Sequence, residues 1–177
     1  EKQLRSTFNR AGVLGIGGSA AGTGLNTHPE YVPRMIATLR ELTGFDLSAD
    51  PDLFAAMASL DVFVDISGRM KALAVELIRI TNDLRLLSSG PTSGLAEILL
   101  PPLQPGSSIM PGKVNPVIPE AVNQVAFHVI GNDLTITMAA EAGQLQLNVM
   151  EPILAFNLFQ SLQMLAAAVN MLTAKCI

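Results

Sequence analysis

The sequence predicts an all-α fold, a bundle of long helices, and three observations carry that expectation. Apolar residues make up 49% of the chain and recur in long helix-patterned segments rather than in short alternating runs. From residue 51 to residue 89 only Gly68 interrupts a helical pattern, and no proline follows Pro51 in that stretch. A further proline-free run follows Pro119. The mean hydropathy of +0.41 is high for a water-soluble chain. Asp, Glu, Arg and Asn nevertheless punctuate the apolar segments every few turns, which suits buried bundle helices better than a bilayer span.

Taken in order, residues 1–10 are charged and read as an interrupted helix. They lack an initiator methionine and a signal-type apolar core, so secretion is not expected. Residues 11–27 are glycine-rich and contain Gly15-x-Gly17-x-x-Ala20. A dinucleotide site would need a preceding strand and a βαβ alternation, and the downstream chain reads as helical, so close backbone packing is the better account. Thr27-His-Pro-Glu30 has the form of a capping box opening a helix over 29–43 that Gly44 closes, with Pro33 bending it near its start. Asp50-Pro51 opens the next helix. Carried through to residue 89, it would span almost forty residues, or about 55 Å.

Within that helix Asn82-Asp83-Leu84-Arg85 puts amide, acid and cation in apolar surroundings, where they are expected to satisfy one another. Another long helix is expected over 118–141, starting around Pro119, with His128 at a core or interface position. The last segment, from Gln144 onward, reads as helical with a break at Pro152 and with Met150, Met164 and Met171 filling gaps in the core. His28 reads as an exposed helix-terminus residue and Asp83 as structural. The 177 residues suffice for one sizeable core and read as a single helical-bundle domain over 1–177.

Charge and cysteine content remove several function classes. A net charge of −4 and a pI near 5.1, without a basic cluster, argue against a nucleic-acid surface. Cys176 is the sole cysteine, so an internal disulfide is impossible and a reducing cytoplasm fits best. Membrane association is likewise not expected.

The chemistry concentrates in one loop, residues 105–116, between two of the long helical segments. Three prolines and two glycines exclude regular structure there. Ser107, Ser108, Lys113 and Asn115 add two hydroxyls, an ammonium and an amide, an inventory suited to gripping a carboxylate and moving a proton beside it. A phosphate-binding P-loop does not fit, because five residues separate Gly106 from Gly112 and Val114 stands where a metal-binding hydroxyl is required.

The run Gly106-Ser-Ser-Ile-Met-Pro-Gly-Lys-Val-Asn115 resembles the signature loop of the fumarase/aspartase superfamily, and Gly22-Thr-Gly-Leu-Asn26 is similar to a second stretch of the same superfamily. Residues 139–153, with 122–133 and 156–161 leaning the same way, resemble its aspartate ammonia-lyase branch rather than the class II fumarases. The resemblance implies an all-helical chain contributing to the central bundle of a homotetramer, with each active site assembled from three subunits. It further implies that Ser107 is the catalytic base, that Ser108 and Lys113 bind a carboxylate of a small dicarboxylate substrate, and that Asn115 is a neighbouring polar contact. Glu120 matches a supporting acidic residue. The implied reaction is reversible conversion of L-aspartate to fumarate and ammonia without metal or organic cofactor. The alternatives are a class II fumarate hydratase or a catalytically inactive structural bundle. The family's upstream Thr-His motif and Ser/Thr-rich substrate loop are absent here and family members are more than twice this length, so the chain is expected to be a fragment, inactive by itself.

Overall fold

A computed structural model describes residues 2–176, with side chains described from Arg5 onward. The elements are α1 (Lys2–Ala11), β1 (Val13–Leu14), α2 (Tyr31–Thr43), β2 (Ser48–Ala49), α3 (Leu53–Ala58), α4 (Asp61–Leu87), α5 (Val117–Glu141) and α6 (Glu151–Lys175). The all-α expectation holds, with one small addition. Val13 and Leu14 pair in parallel with Ser48 and Ala49, through Ser48 N–H to Gly12 O and Asp50 N–H to Leu14 O, both 2.9 Å.

The chain divides into two compact units. One comprises the chain up to Arg69 together with Asp133–Leu158, the other Met70–Asn132 together with the chain from Phe159 onward.

In the first unit the glycine-rich segment does what close packing demands. A Cβ on Gly22, whose φ is +88°, would lie 2.6 Å from Phe54 Cα, and one on Gly18 would lie 2.7 Å from the Met57 side chain. The segment therefore packs its backbone directly on α3, which only residues without side chains permit. Ile66, Ile136, Leu154 and Leu158 are buried in this unit. Ser67 Oγ donates to the buried carboxylate of Asp133 at 2.7 Å, and Asn148 Nδ2 donates to the carbonyls of Ala139 and Ala140. These bonds satisfy polar groups that burial would otherwise make costly.

The second unit has a core of Met70, Ala74, Leu77, Val122, Ala126, Val129, Leu165, Ala168 and Leu172. Small residues at Ala74, Ala126 and Ala168, each at most 2% exposed, occupy core positions that admit little side-chain volume.

Several elements differ from the sequence reading, each for a local reason. Of residues 1–10, the described ones, from Lys2 onward, lie in an uninterrupted helix, α1, and Glu1 lies outside the described residues. The helix expected from Asp50 to residue 89 is two helices. Ser59 is extended (φ −95°, ψ 133°), and its hydroxyl accepts from Asp61 N–H and lies 3.2 Å from Asp61 Oδ1, an alternative to the helical ladder that serine readily offers. The uninterrupted part, α4, is 27 residues and so about 40 Å long. Its predecessor α3 is capped by Asp52, which accepts from Phe54 and Ala55 N–H, while Asp50 accepts from Asp52 N–H.

The capping box does not form. Thr27 gives its hydroxyl proton to Gly24 O at 2.6 Å, and Glu30 ion-pairs with Arg34 instead of reaching back. Gly44 does close α2, with φ +71° and its N–H on Arg40 O. Pro152 is the second residue of α6 rather than a break within it. Met150 is exposed and Met164 and Met171 are half-buried, so none belongs to the buried core. His128 is exposed. Asn82, Asp83 and Arg85 do not satisfy one another; Asn82 bonds Asn123, Asp83 pairs with Arg79, and Arg85 faces Glu120.

Between Glu151 and Lys175 α6 carries no charge, and by length and composition it is the one helix among the described residues that could cross a bilayer, although a third of that stretch is buried. Its buried positions Leu154, Leu158, Leu165 and Leu172 share their faces with Asn157 and Ser161, also buried. Asn157 Nδ2 returns to Ile153 O, and Ser161 Oγ accepts from Asn132, so α6 packs against protein along polar as well as apolar positions.

In the first unit Asp65 joins α1 to α4. Thr7 donates to its carboxylate at 2.8 Å, and Arg69 and Arg10 lie at 3.0 and 3.5 Å. The Thr7 hydrogen bond, then the neighbouring guanidiniums, hold this carboxyl below its ordinary value, with desolvation opposing. A group whose folded-state pKa is depressed contributes stability above its unfolded pKa and loses it as pH falls through the folded value. Asp65→Asn should therefore lower the melting temperature near pH 7, and the gap to wild type should close below about pH 4. Melting curves across pH 3–7 check this.

Candidate functional site

The loop over residues 105–116 lies in the second unit, and its shape follows from two glycines. Gly106 N–H donates to Lys113 O at 2.7 Å, which ties the two ends of the loop together. A Cβ on Gly106 would lie 2.8 Å from that same carbonyl oxygen and 3.1 Å from Asn115 N, so no other residue allows the closure. Gly112 has φ +78°, the left-handed conformation that turns the chain back, and Lys113 N–H then reaches Met110 O at 3.3 Å.

Within this ring Ser107 is half-buried, and its Oγ accepts from Ile109 N–H at 3.2 Å and Met110 N–H at 3.1 Å. Two backbone donors aimed at one hydroxyl oxygen favour the form of that oxygen carrying negative charge. The same geometry is an ordinary serine turn, in which the hydroxyl stands in for a backbone acceptor. What separates it from an inert turn is the company it keeps. Ser108 and Lys113 are exposed, and neither side chain has a partner among the described residues. Asn115 is half-buried, with Nδ2 on Gly106 O at 3.3 Å.

Of the residues singled out in the sequence, Ser107, Ser108, Lys113 and Asn115 are thus brought together on one closed loop. Glu120 stands apart, in the first turn of α5, where its carboxylate lies 3.9 Å from Arg85 near the end of α4. Both partners are more than a third exposed, so this pair contributes only about 0–1 kcal/mol.

The sequence reading did not single out the group beneath Glu120. One turn further along α5, Asn123 is 4% exposed and bonded at both ends. Its Oδ1 accepts from Thr81 Oγ1, and its Nδ2 donates to Asn82 Oδ1 at 2.8 Å. Removing one partner of such a buried pair leaves the other unsatisfied at a cost of about 1–3 kcal/mol, more than the exposed ion pair supplies. The one signal in the sequence was a pair of amides on two apolar helices, with nothing to show that they meet.

Comparison with known proteins gives this loop a family. The profile of a family described as lyase matches residues 1–131. The chain belongs to this lyase family. It falls in the fumarase/aspartase superfamily, as the signature loop implies. It is 52% identical over 176 residues to an aspartate ammonia-lyase of Helicobacter pylori, with 99% of this chain and 38% of that enzyme covered. Among solved structures, a fumarate lyase:delta crystallin from Brucella melitensis bound to cobalt superposes with a TM-score of 0.94 at 50% identity, covering 99% of this chain and 38% of the other. A class II fumarase from Schistosoma mansoni superposes with a TM-score of 0.95 at 36% identity, covering 99% and 40%. The chain therefore spans about two-fifths of the length of these lyases.

Because Gly106 has no space for a side chain, Gly106→Ala should open the ring. Hydrogen exchange at Ile109, Met110 and Lys113 N–H should accelerate at least about tenfold while the core amides of α5 keep their protection, a contrast that residue-resolved exchange measures directly.

Proposed function

We propose that this chain is the part of a longer ammonia-lyase that carries its proton-abstracting loop, and that the parent enzyme converts L-aspartate reversibly to fumarate and ammonia. The single observation that carries the reading is the pair of N–H donors on Ser107 Oγ. Serine is a poor base unless its alkoxide is stabilised, and those donors supply such stabilisation before any substrate arrives.

In this reading the Ser107 alkoxide removes a proton from the carbon next to one substrate carboxylate. The electron pair left behind spreads into that carboxylate as a dianionic enediolate, and Ser108 and the Lys113 ammonium bind the charge that develops. The pair then closes the carbon–carbon double bond as the bond from the adjacent carbon to nitrogen breaks. Ammonia departs, fumarate remains, and the proton rests on Ser107 until it returns to solvent. Asn115 adds a polar contact beside Lys113, and Glu120 supports the site from α5. Protein groups alone complete the scheme, so it calls for no metal or organic cofactor.

Loss of ammonia and loss of water pass through the same enediolate, so the loop is common to both chemistries. Support for aspartate over malate lies in the 52% identity to an aspartate ammonia-lyase against 36% to a class II fumarase, and in the aspartase-like stretch Ala140-Glu-Ala-Gly-Gln-Leu-Gln146. The parent should prefer L-aspartate over L-malate by at least about a hundredfold in kcat/KM, roughly 2.7 kcal/mol of differential transition-state binding. Fumarate absorbance with each substrate at equal concentration decides it. Ser107→Ala should lower turnover by orders of magnitude without altering the assembly, and malate turnover matching aspartate turnover would instead favour the fumarase reading.

Self-association belongs to the same proposal. The long helices leave Leu73, Val75 and Leu86 of α4, Phe127, Leu134 and Met138 of α5, and Phe156 and Phe159 of α6 between 41% and 63% exposed. Exposed apolar side chains on such a scale, in each of the two units, mark interaction surfaces, and a homotetramer joined through long helices in the cytoplasm is the arrangement we favour. Sedimentation should give a species larger than the monomer at micromolar concentration; a stable monomer counts against it.

A further inference from the structure

The loop has a mechanical connection to the helix pair beneath it. From Ser107 the path runs to Gly106, whose carbonyl accepts from Asn115 Nδ2 at 3.3 Å and whose N–H closes on Lys113. Asn115 O accepts from Val117 N–H at 2.8 Å, and Pro116 O accepts from Glu120 N–H at 3.2 Å, so the loop's exit is continuous with the first turn of α5. Asn123 lies one turn beyond Glu120 and is the buried polar residue by which this end of α5 is keyed to α4. Apolar contacts such as those of Val122 and Ala126 tolerate sliding, because dispersion and burial carry little directional preference. A doubly bonded amide does not, since both of its hydrogen bonds weaken steeply with misalignment.

We propose that Asn123, through its bonds to Thr81 and Asn82, is a positioning residue that sets the register of α5 on α4 and thereby the placement of Ser107. The inference rests on the lyase reading for its kinetic consequence, and it extends that reading to a residue that touches neither the loop nor, in the scheme above, the substrate. Misplacing a base by about 1 Å costs on the order of a hundredfold in rate while leaving much of ground-state binding in place. Disturbing Asn123 should therefore appear in kcat rather than KM.

The experiment uses the parent enzyme with Asn123→Leu, and with the double substitution Thr81→Val and Asn123→Leu. The double variant replaces both buried partners, Thr81 and Asn123, by apolar groups of similar shape, while the exposed Asn82 turns to water, so stability is preserved better than in the single variant. The expected result is a kcat lower by about tenfold to a hundredfold in both, with KM for L-aspartate within about threefold of wild type. Exchange at Ile109 and Met110 N–H, the donors to Ser107, should also accelerate at least about tenfold in the folded double variant. Loop amides that exchange at the wild-type rate in that variant would overturn the inference, whatever the activity. A wild-type kcat in the folded double variant would overturn it as well. A parent that fails to deaminate aspartate would sink the lyase reading instead, and the exchange measurement would still decide the role of Asn123.

Discussion

One backbone hydrogen bond, from Gly106 to Lys113, organises everything chemical about this chain. It converts a proline-broken connection between two helices into a closed ring with Ser107 just inside its entry and Lys113 at its closure. The bond exists because Gly106 carries no side chain, and the turn that makes it reachable exists because Gly112 adopts a left-handed conformation. Ser107 then finds two amides in the same ring. These two amides are held on Ser107 Oγ by the loop's own backbone fold, and its charged side chain, Lys113, is exposed.

Burial decides which of the surrounding polar contacts matter. The Arg85 and Glu120 pair carries opposite charges and catches the eye first, yet water screens it. Thr81, Asn82 and Asn123 are uncharged, but the first and last are almost fully buried, so each bond lost there exposes a group to an environment that cannot repay it. The same distinction applies in the first unit, where Ser67 and Asp133 meet in the interior while Arg10 and Asp61 pair at the surface.

How much of this was readable in the sequence depended on the range of the determining interaction. Gly44 could be recognised as a helix end and Pro119 as a helix start because each acts through its own backbone. The crowding of Gly18 and Gly22 against α3 was readable as a need for small residues, though not the surface they would meet. Ser59 was not readable as a break, because the apolar periodicity continues across it and only the hydroxyl's bond to Asp61 gives it away. Thr27 had a nearer acceptor in Gly24 than the pattern allowed for. The loop's residue types led to an expectation of carboxylate and proton chemistry, whereas the two amides on Ser107 depend on a ring that only folding closes. Asn123 escaped notice for the plainest reason: its partners lie 41 and 42 positions away, and nothing local says they will arrive.

The connection on the other side of the loop behaves differently. Between the end of α4 at Leu87 and the start of α5 at Val117 the chain has no helix or strand; Glu97 N–H returns to Leu87 O near the α4 end, and next to α5 the loop is held by Gly106 N–H on Lys113 O and Asn115 Nδ2 on Gly106 O. The two tethers therefore differ in covalent length. The α4 side holds the loop at the far end of an irregular segment, whereas the α5 side holds it within a few residues of the helix start. The first two turns of α5 are therefore the regular structure nearest in sequence to the serine, and a change in their placement has the shortest covalent path to it.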